Sequence, residues 1–481
     1  MSVLAATVLT SLLQGAQLED RHAPKVRTDP PAGPEEPSDT PGLRSHQAPR
    51  ALSPAAVTED WPTFLGPRRD AHSRETHLAS FEDAGPSLVW ELDCGRGFAS
   101  PVVAGDRLIL THRVAGEVHV DALEPTTGRR WWRFSYPTSY DDRYISNEGP
   151  RSTPTIAGTR VIVHGLENQL FCLDLASGVV LWQRDLAAEL GVAIDFFGAV
   201  SSPLVHAGRV LVNVGAVKGP CVAAFDLATG RMVWGTGAEW GPSCASPVLG
   251  ELGGQERLFV LAGGESRPPT GGLLVLDPGN GEELFRFPFR SKIVESVTGA
   301  SPLIGPDFVF LSASYGTGSV CLESREGTFA QRWKNRRIGL QFSGPVLSDG
   351  LIWLIDGRSD RSGELVALDP ATGEERLRHD LSWDERFDFD GRTIEHSFSV
   401  GEGSLLAVDG RFLCLGDNGH LLWLEADAER VKILSRAWLF RANETWTPPV
   451  VSQGLLWVRQ TKDESYGEAK PRLLCYDLRA E

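Results

Sequence analysis

The sequence predicts an all-β fold, an eight-bladed β-propeller of four-stranded antiparallel blades. Three observations carry that prediction. A short opening of a small residue, a proline and alternating apolar residues recurs along the chain. A hairpin motif, Asp-x-x-(Thr/Ser/Asn)-Gly, recurs with it and is followed four residues later by a large side chain. Finally, one orphan strand precedes the first repeat, and the last repeat lacks one.

The openings read ASPVV, STPTI, SSPLV, ASPVL, ASPLI, SGPVL, a divergent GSLLAV, and TPPVV. Their prolines are Pro101, Pro154, Pro203, Pro247, Pro302, Pro345 and Pro449, with Ser404 in the divergent one. The period of roughly 45–60 residues falls where propeller blades occur. Each unit then turns into a second strand (AGDRLIL, AGTRVIV, AGRVLVNV, SDGLIWLI, VDGRFLCL) and a third that ends in the hairpin motif. Alternating apolar residues mark the strands, and glycine supplies the positive φ of the turn without steric cost. The large side chains after the turn are Trp132, Trp182, Trp234 and Phe285. On a fourth strand they are expected to fill the wedge between adjacent blades, a structural role.

The ends of the chain fix the closure. The final unit runs from TPPVVSQGLLWVRQ to RLLCYDL without a fourth strand, while SLVWELDC stands ahead of the first unit with Trp90 at the docking position. Lending that strand to the last unit closes the ring and removes both sheet edges. Eight openings and one exchanged strand make eight blades.

Three regions follow. Residues 1–17, MSVLAATVLTSLLQGAQ, hold an apolar run too short to span a bilayer and read as a signal-peptide-like segment. Residues 18–59 are rich in Pro, Glu, Asp, Arg and Ser, a composition expected to form a disordered linker or tether. Residues 60–481 form the propeller. The expected location is the periplasm or cell envelope, or the cytoplasm if the first segment is no signal, with no membrane-spanning segment in the mature chain.

A formal charge of −16 argues against nucleic acid and against adsorption to anionic lipid. The seven cysteines form no CxxC pair, and several lie in apolar runs such as LFCLDL, where they read as small buried hydrophobes. Cys221 and Cys244 could meet across neighbouring repeats, a pairing the sequence leaves open.

The repeated Asp-x-x-Thr-Gly-x-x-x-Trp pattern resembles the tryptophan-docking motif of PQQ-like, quinoprotein-dehydrogenase-like propellers. DWPTFLGPRRD (Asp60 to Asp70) resembles the WPxxRGPxRxG opening of one subfamily, and residues 60–478 as a whole resemble the scaffold propeller BamB. The resemblance implies the fold and admits two functions. Quinoprotein dehydrogenases carry PQQ and calcium over the channel and an adjacent Cys-Cys pair. This chain has no adjacent cysteines, and no Glu, Asn or Asp matches their catalytic motifs. The expectation is therefore a non-catalytic scaffold with no cofactor, the alternative being a PQQ-dependent dehydrogenase.

Other chemistry finds no pattern. His72, His77 and His119 are scattered, and GxSxG elbows and phosphate-cradling glycine loops are missing. DERFDFDG (Asp384 to Gly391) has the acids of a calcium loop but Arg386 in its middle, so it reads as a solvated acidic loop with no metal. Propellers place the segment before each first strand at the channel mouth. These segments offer Glu148, Arg151, Glu239, Trp240, Glu295, Gln341, Glu395, His396, Asn443, Glu444 and Trp446 as candidate binding residues. Two insertions, one with Tyr136, Tyr140 and Tyr144 and one with Trp383, Phe387 and Phe389, suit either a contact surface or packing on the rim. The expected partner is another protein or an extended peptide, with a small-molecule ligand as the other occupant of the mouth.

Overall fold

The computed structural model describes residues 20, 22–142, 147–194, 196–263, 270–293, 296–325, 328–358, 361–389, 391–442, 444–461 and 470–480. Eight antiparallel blades are present, each a meander from an inner strand at the channel to an outer strand at the rim. Blade 1 comprises Val102–Ala104, Arg107–Val114, Glu117–Leu123 and Arg130–Pro137. Blades 2 to 7 begin at Thr155–Ala157, Leu204–His206, Val248–Leu252, Leu303–Ile304, Val346–Ser348 and Ser404–Val408. Blade 8 takes Val450–Ser452, Leu455–Gln460 and Arg472–Asp477 from the end of the chain, and Ser87–Asp93 from its beginning. The orphan strand closes the ring as expected, with Trp90 opposite Cys475. Among the described residues the single helix is the one-turn Leu186–Leu190, capped by Asp185.

The docking tryptophans join blades. Three indole N–H groups donate to a backbone carbonyl in the hairpin turn of the next blade: Trp90 to Pro125 at 2.9 Å, Trp132 to Leu175 at 2.9 Å, and Trp182 to Leu227 at 3.0 Å. The ring lies on the turn glycine, so a Cβ added to Gly178 would stand 2.5 Å from Trp132. Glycine there supplies both the left-handed backbone, φ 72°, and the room for the neighbour's ring. Trp234 lays its ring on Gly281 likewise, but its indole nitrogen meets no acceptor. Phe285 instead meets Phe329 of blade 5, whose turn lacks the motif, with centroids 4.8 Å apart. Trp333, not singled out from the sequence, docks on Gly373 and donates to Pro370 O.

The segment expected to be a disordered linker follows a specific path along the rim. Asp20 forms a buried ion pair with Arg184 and accepts the Met232 N–H. Arg27 N–H donates to Leu181 O, and Ser38 exchanges backbone hydrogen bonds with Arg130. Leu43–Ser45 then pairs antiparallel with Ser87–Asp93 as a fifth strand of blade 8. Gly33 passes so close to Ala176 that a Cβ would fall 2.1 Å from its carbonyl oxygen. The reason is the rim itself: outer strands present unpaired backbone groups, and an extended proline-rich chain can satisfy them without a core of its own. Residues 1–17 lie outside the described residues.

The DWPTFLGPRRD segment plugs the channel. Trp61 forms a two-way backbone bridge with Val103 on the free edge of blade 1's inner strand, and Pro62 O accepts from Ile156 of blade 2. Arg69 reaches across to donate to Pro247 O at 2.9 Å, to Ser202 O at 3.4 Å and to Pro203 O, carbonyls of blades 3 and 4. Ala71 and Ser73 pair with Ala407 of blade 7, and Glu75 accepts from Gly454 N in blade 8 at 2.7 Å. One short segment thus ties six blades together from inside. Burial without a carboxylate partner pulls the Arg69 guanidinium down to about 9.

The DERFDFDG segment is not a loop. It belongs to an antiparallel hairpin, Ser382–Phe389 with Arg392–Ser399. Its acids are matched across the strands: Asp384 to Ser397, Asp388 to Thr393, and Glu395 to Arg386. Trp383 and Phe387 turn inward with Phe398 onto His420 and Trp438 of blade 7. Its period-2 alternation was visible in the sequence, but the charges on the solvent face masked it.

Candidate functional site

The residue three positions before each opening proline points into the channel mouth. In blades 1 to 6 these are Phe98, Arg151, Val200, Cys244, Gly299 and Phe342, and in blade 8 it is Trp446. All seven line one cavity with an empty volume of about 750 Å³, which Phe64 of the plug closes from within the channel. In divergent blade 7, alignment on the hairpin turn Asp409–Gly410 puts Leu405 in the proline's place, so Glu402 holds the same register. Bulky side chains come from blades 8, 1, 2 and 6, whereas blades 3, 4 and 5 give Val200, Cys244 and Gly299. The space opens on the side of the small residues.

The wall is aromatic. Trp446 stacks on Phe342 at 4.3 Å and on Phe98 at 5.3 Å, and its indole nitrogen is buried without a hydrogen-bond partner. Arg151 is held by Asp142 at 2.8 Å, Asn147 O at 2.8 Å and Phe197 O at 3.0 Å, with its guanidinium 5.4–5.7 Å from the Phe197 and Phe98 centroids. Its charge is matched before any ligand arrives, so it stiffens the wall by cation–π contact.

The lead-in of blade 7 carries a buried acidic corner. Asp417, in the turn facing Glu402, accepts the Glu402 N–H at 2.9 Å through Oδ2, while its buried Oδ1 meets no donor. Burial, reinforced by the charge of Glu444 against one backbone hydrogen bond, pushes the Asp417 carboxyl up to about 7. A carboxyl raised in the folded state binds more protons there than when unfolded, so stability falls as pH rises from about 4 to about 7. The expected loss is on the order of 4 kcal/mol by pH 8. Asp70 and Glu75 are also raised by burial and share the sign. Asp417→Asn isolates the part due to Asp417: melting curves from pH 5 to 8 should show a smaller decline than wild type, and an unchanged slope would refute the assignment.

The structure gathers only some of the sequence-predicted residues. Arg151 and Trp446 line the cavity. Gln341 lies next to Phe342 and donates to the Tyr315 hydroxyl at 2.9 Å, and Glu444 lies two residues before Trp446 with its carbonyl bonded to Thr461. Glu148 is on the lip, where its carbonyl accepts from Arg113. Glu239 is exposed with a left-handed backbone, φ 75°. Trp240 is buried between blades 3 and 4 with the Arg286 guanidinium over its ring. Glu395 and His396 sit on the exposed hairpin and are not at the mouth. Tyr136 and Tyr140 are core residues, the latter donating to Phe196 O. Trp383 and Phe387 pack on blade 7. Glu295, Asn443, Tyr144 and the side chain of Phe389 lie outside the described residues. Cys221 is buried, Cys244 lines the cavity, and no disulfide joins them. Sequence reasoning missed Phe64, Phe98, Phe197 and Phe342.

The blades, the docking tryptophans and the ring of mouth residues define a PQQ-type repeat β-propeller. The family described as "Outer membrane protein assembly factor BamB" matches residues 66–243, 116–379 and 218–479 in overlapping placements, and the chain belongs to that family. BamB of Burkholderia pseudomallei (strain K96243) is 28% identical over 138 residues, a match covering 28% of this chain and 32% of that protein's length. Among solved structures, the quinohemoprotein alcohol dehydrogenase of Comamonas testosteroni superposes with a TM-score of 0.61 at 14% identity, covering 88% of this chain and 81% of that one. BamB from Moraxella catarrhalis superposes with a TM-score of 0.53 at 13% identity, covering 83% and 99%. These two likenesses are of fold.

Proposed function

We propose that this protein is a non-catalytic scaffold of the cell envelope that seats an apolar segment of a partner protein in the ring cavity. The observation carrying this reading is a preformed, open-mouthed cavity with aromatic walls, closed from the channel side by Phe64 of the chain's own Trp61–Arg69 segment. Preformed aromatic pockets hold side-chain anchors because little ordering is needed on binding. Family membership supports the scaffold class and an exported location, and among the described residues no helix is long and apolar enough to cross a membrane.

PQQ with calcium fits the lining poorly. PQQ is a flat tricarboxylate, yet the one cation among the cavity-lining residues, Arg151, is engaged by Asp142, and no carboxylate belongs to the lining. No group of three His, Cys, Asp or Glu able to hold a metal occurs among the described residues. The test pairs two measurements on the full chain. Peptide-display selection should enrich sequences with aromatic or aliphatic anchors, and Trp446→Ala should weaken the selected peptides by at least about tenfold. A titration with PQQ and calcium, followed by dye-coupled alcohol oxidation, should show neither saturation nor turnover. Saturable PQQ binding with turnover would replace the scaffold by an oxidoreductase.

A further inference from the structure

We propose that a polar cell between blades 2 and 3 binds one water molecule, which donates to His164 Nε2 and Asn213 Oδ1 and accepts from the Ser201 hydroxyl. The site is separate from the ring cavity and does not rest on the scaffold reading.

His164 ends the second strand of blade 2, Arg160–His164, and Asn213 ends that of blade 3, Arg209–Asn213. Both line one narrow cell with Asn168, with Val200 and Ser201 of the connector between the blades, and with Ser243 of blade 4's lead-in. His164 and Ser201 are 3% exposed and Asn213 is 2% exposed. His164 Nε2, Ser201 Oγ and Asn213 Oδ1 are buried and pair with no other described group. Each would carry an uncompensated desolvation cost if left so, and all three belong to the lining of a single space.

The neighbours fix what each group can offer. His164 Nδ1–H donates to Ser201 O at 3.2 Å, a carbonyl that only accepts, so Nε2 carries the lone pair. Burial, opposed by the Ser201 carbonyl and the Asn168 side chain, holds the imidazole below its ordinary pKa and hence neutral. Asn213 Nδ2 donates to Ser243 Oγ at 3.2 Å and to Leu261 O at 3.4 Å, which leaves Oδ1 as an acceptor. The cell thus presents two acceptors and one hydroxyl able to donate. Water complements that set with two O–H groups and a lone pair, and the free space is that of about one water molecule. An ammonium or metal ion would be a buried cation among neutral groups, since no carboxylate or thiolate belongs to the lining. Val200 lines both this cell and the ring cavity, so the water pins, through Ser201, the connector on the cavity's open side.

The test is a high-resolution crystal structure of the full chain, grown without ammonium salts, together with oxygen-17 relaxation dispersion, which detects long-lived internal water in solution. One density peak within hydrogen-bond distance of all three atoms is expected. Asn213→Leu, which removes an acceptor at similar volume, should abolish the peak and lower the dispersion amplitude by the contribution of one water. Ser201→Ala, a milder change should the leucine variant not fold, should keep the peak and shorten the water's residence time by about tenfold. A closed cell in which the Asn168 amide donates directly to His164 Nε2, or an unchanged dispersion amplitude in Asn213→Leu, would overturn the proposal. Anomalous scattering at the peak would replace the water by a metal ion.

Discussion

Trp61→Ala is expected to cost the protein about 4 kcal/mol of stability, the scale of truncating a buried aromatic side chain. Trp61 is 2% exposed, and Gly66 folds over it so closely that a Cβ would lie 2.9 Å from the indole ring. Its bridge to Val103 anchors the first residue of a plug whose later residues hold blades 2, 3, 4, 7 and 8. The loss should therefore be cooperative rather than confined to blade 1. Chemical denaturation followed by far-ultraviolet circular dichroism measures it, with Trp61→Phe expected to recover much of the difference. A wild-type midpoint in the alanine variant would show that the ring closes without its plug.

Asp20→Ala should cost about 2 kcal/mol, because it takes one of two carboxylates from a buried guanidinium and leaves Glu189 to hold it alone. Arg184 is 4% exposed and donates to Asp20 at 2.7 and 3.0 Å, with Glu189 as its second carboxylate. The same Asp20 side chain accepts the Met232 N–H of blade 3, so the substitution frees two blades from the strap at once. A double-mutant cycle with Arg184→Ala isolates the pair, and a coupling near zero would mean that the segment does not dock. A disordered linker would be indifferent to either change.

The candidate site was half legible. Of the residues drawn from the segments before each first strand, Arg151 and Trp446 lie in the cavity wall. Polar and charged residues were collected from those segments, however, where the structure selects a single register. Counting back three from each proline picks Phe98, Val200, Cys244, Gly299 and Phe342 with no further knowledge. That regularity was in the sequence all along. It went unused because polarity was taken as the mark of a site, and an aromatic wall does not carry that mark. The blade 7 register needed more: that blade has lost the proline, and only strand pairing restores the frame.

The sequence by itself determined the architecture. Hairpin glycines, docking aromatics and strand alternation are local signals repeated blade after blade, and repetition averages away the ambiguity of any one of them. Strand exchange was legible too, because a missing fourth strand and a spare one can be counted. The tertiary structure alone decided what fills the surfaces that the ring creates. The rim offers unpaired backbone to the proline-rich strap, and the channel offers inner-strand edges to the Trp61–Glu75 plug. Neither partner is near in sequence, and neither segment has enough apolar surface to order itself alone. Their conformation is set by backbone groups of distant blades that must be satisfied once buried, and no composition or period within the segment records those partners.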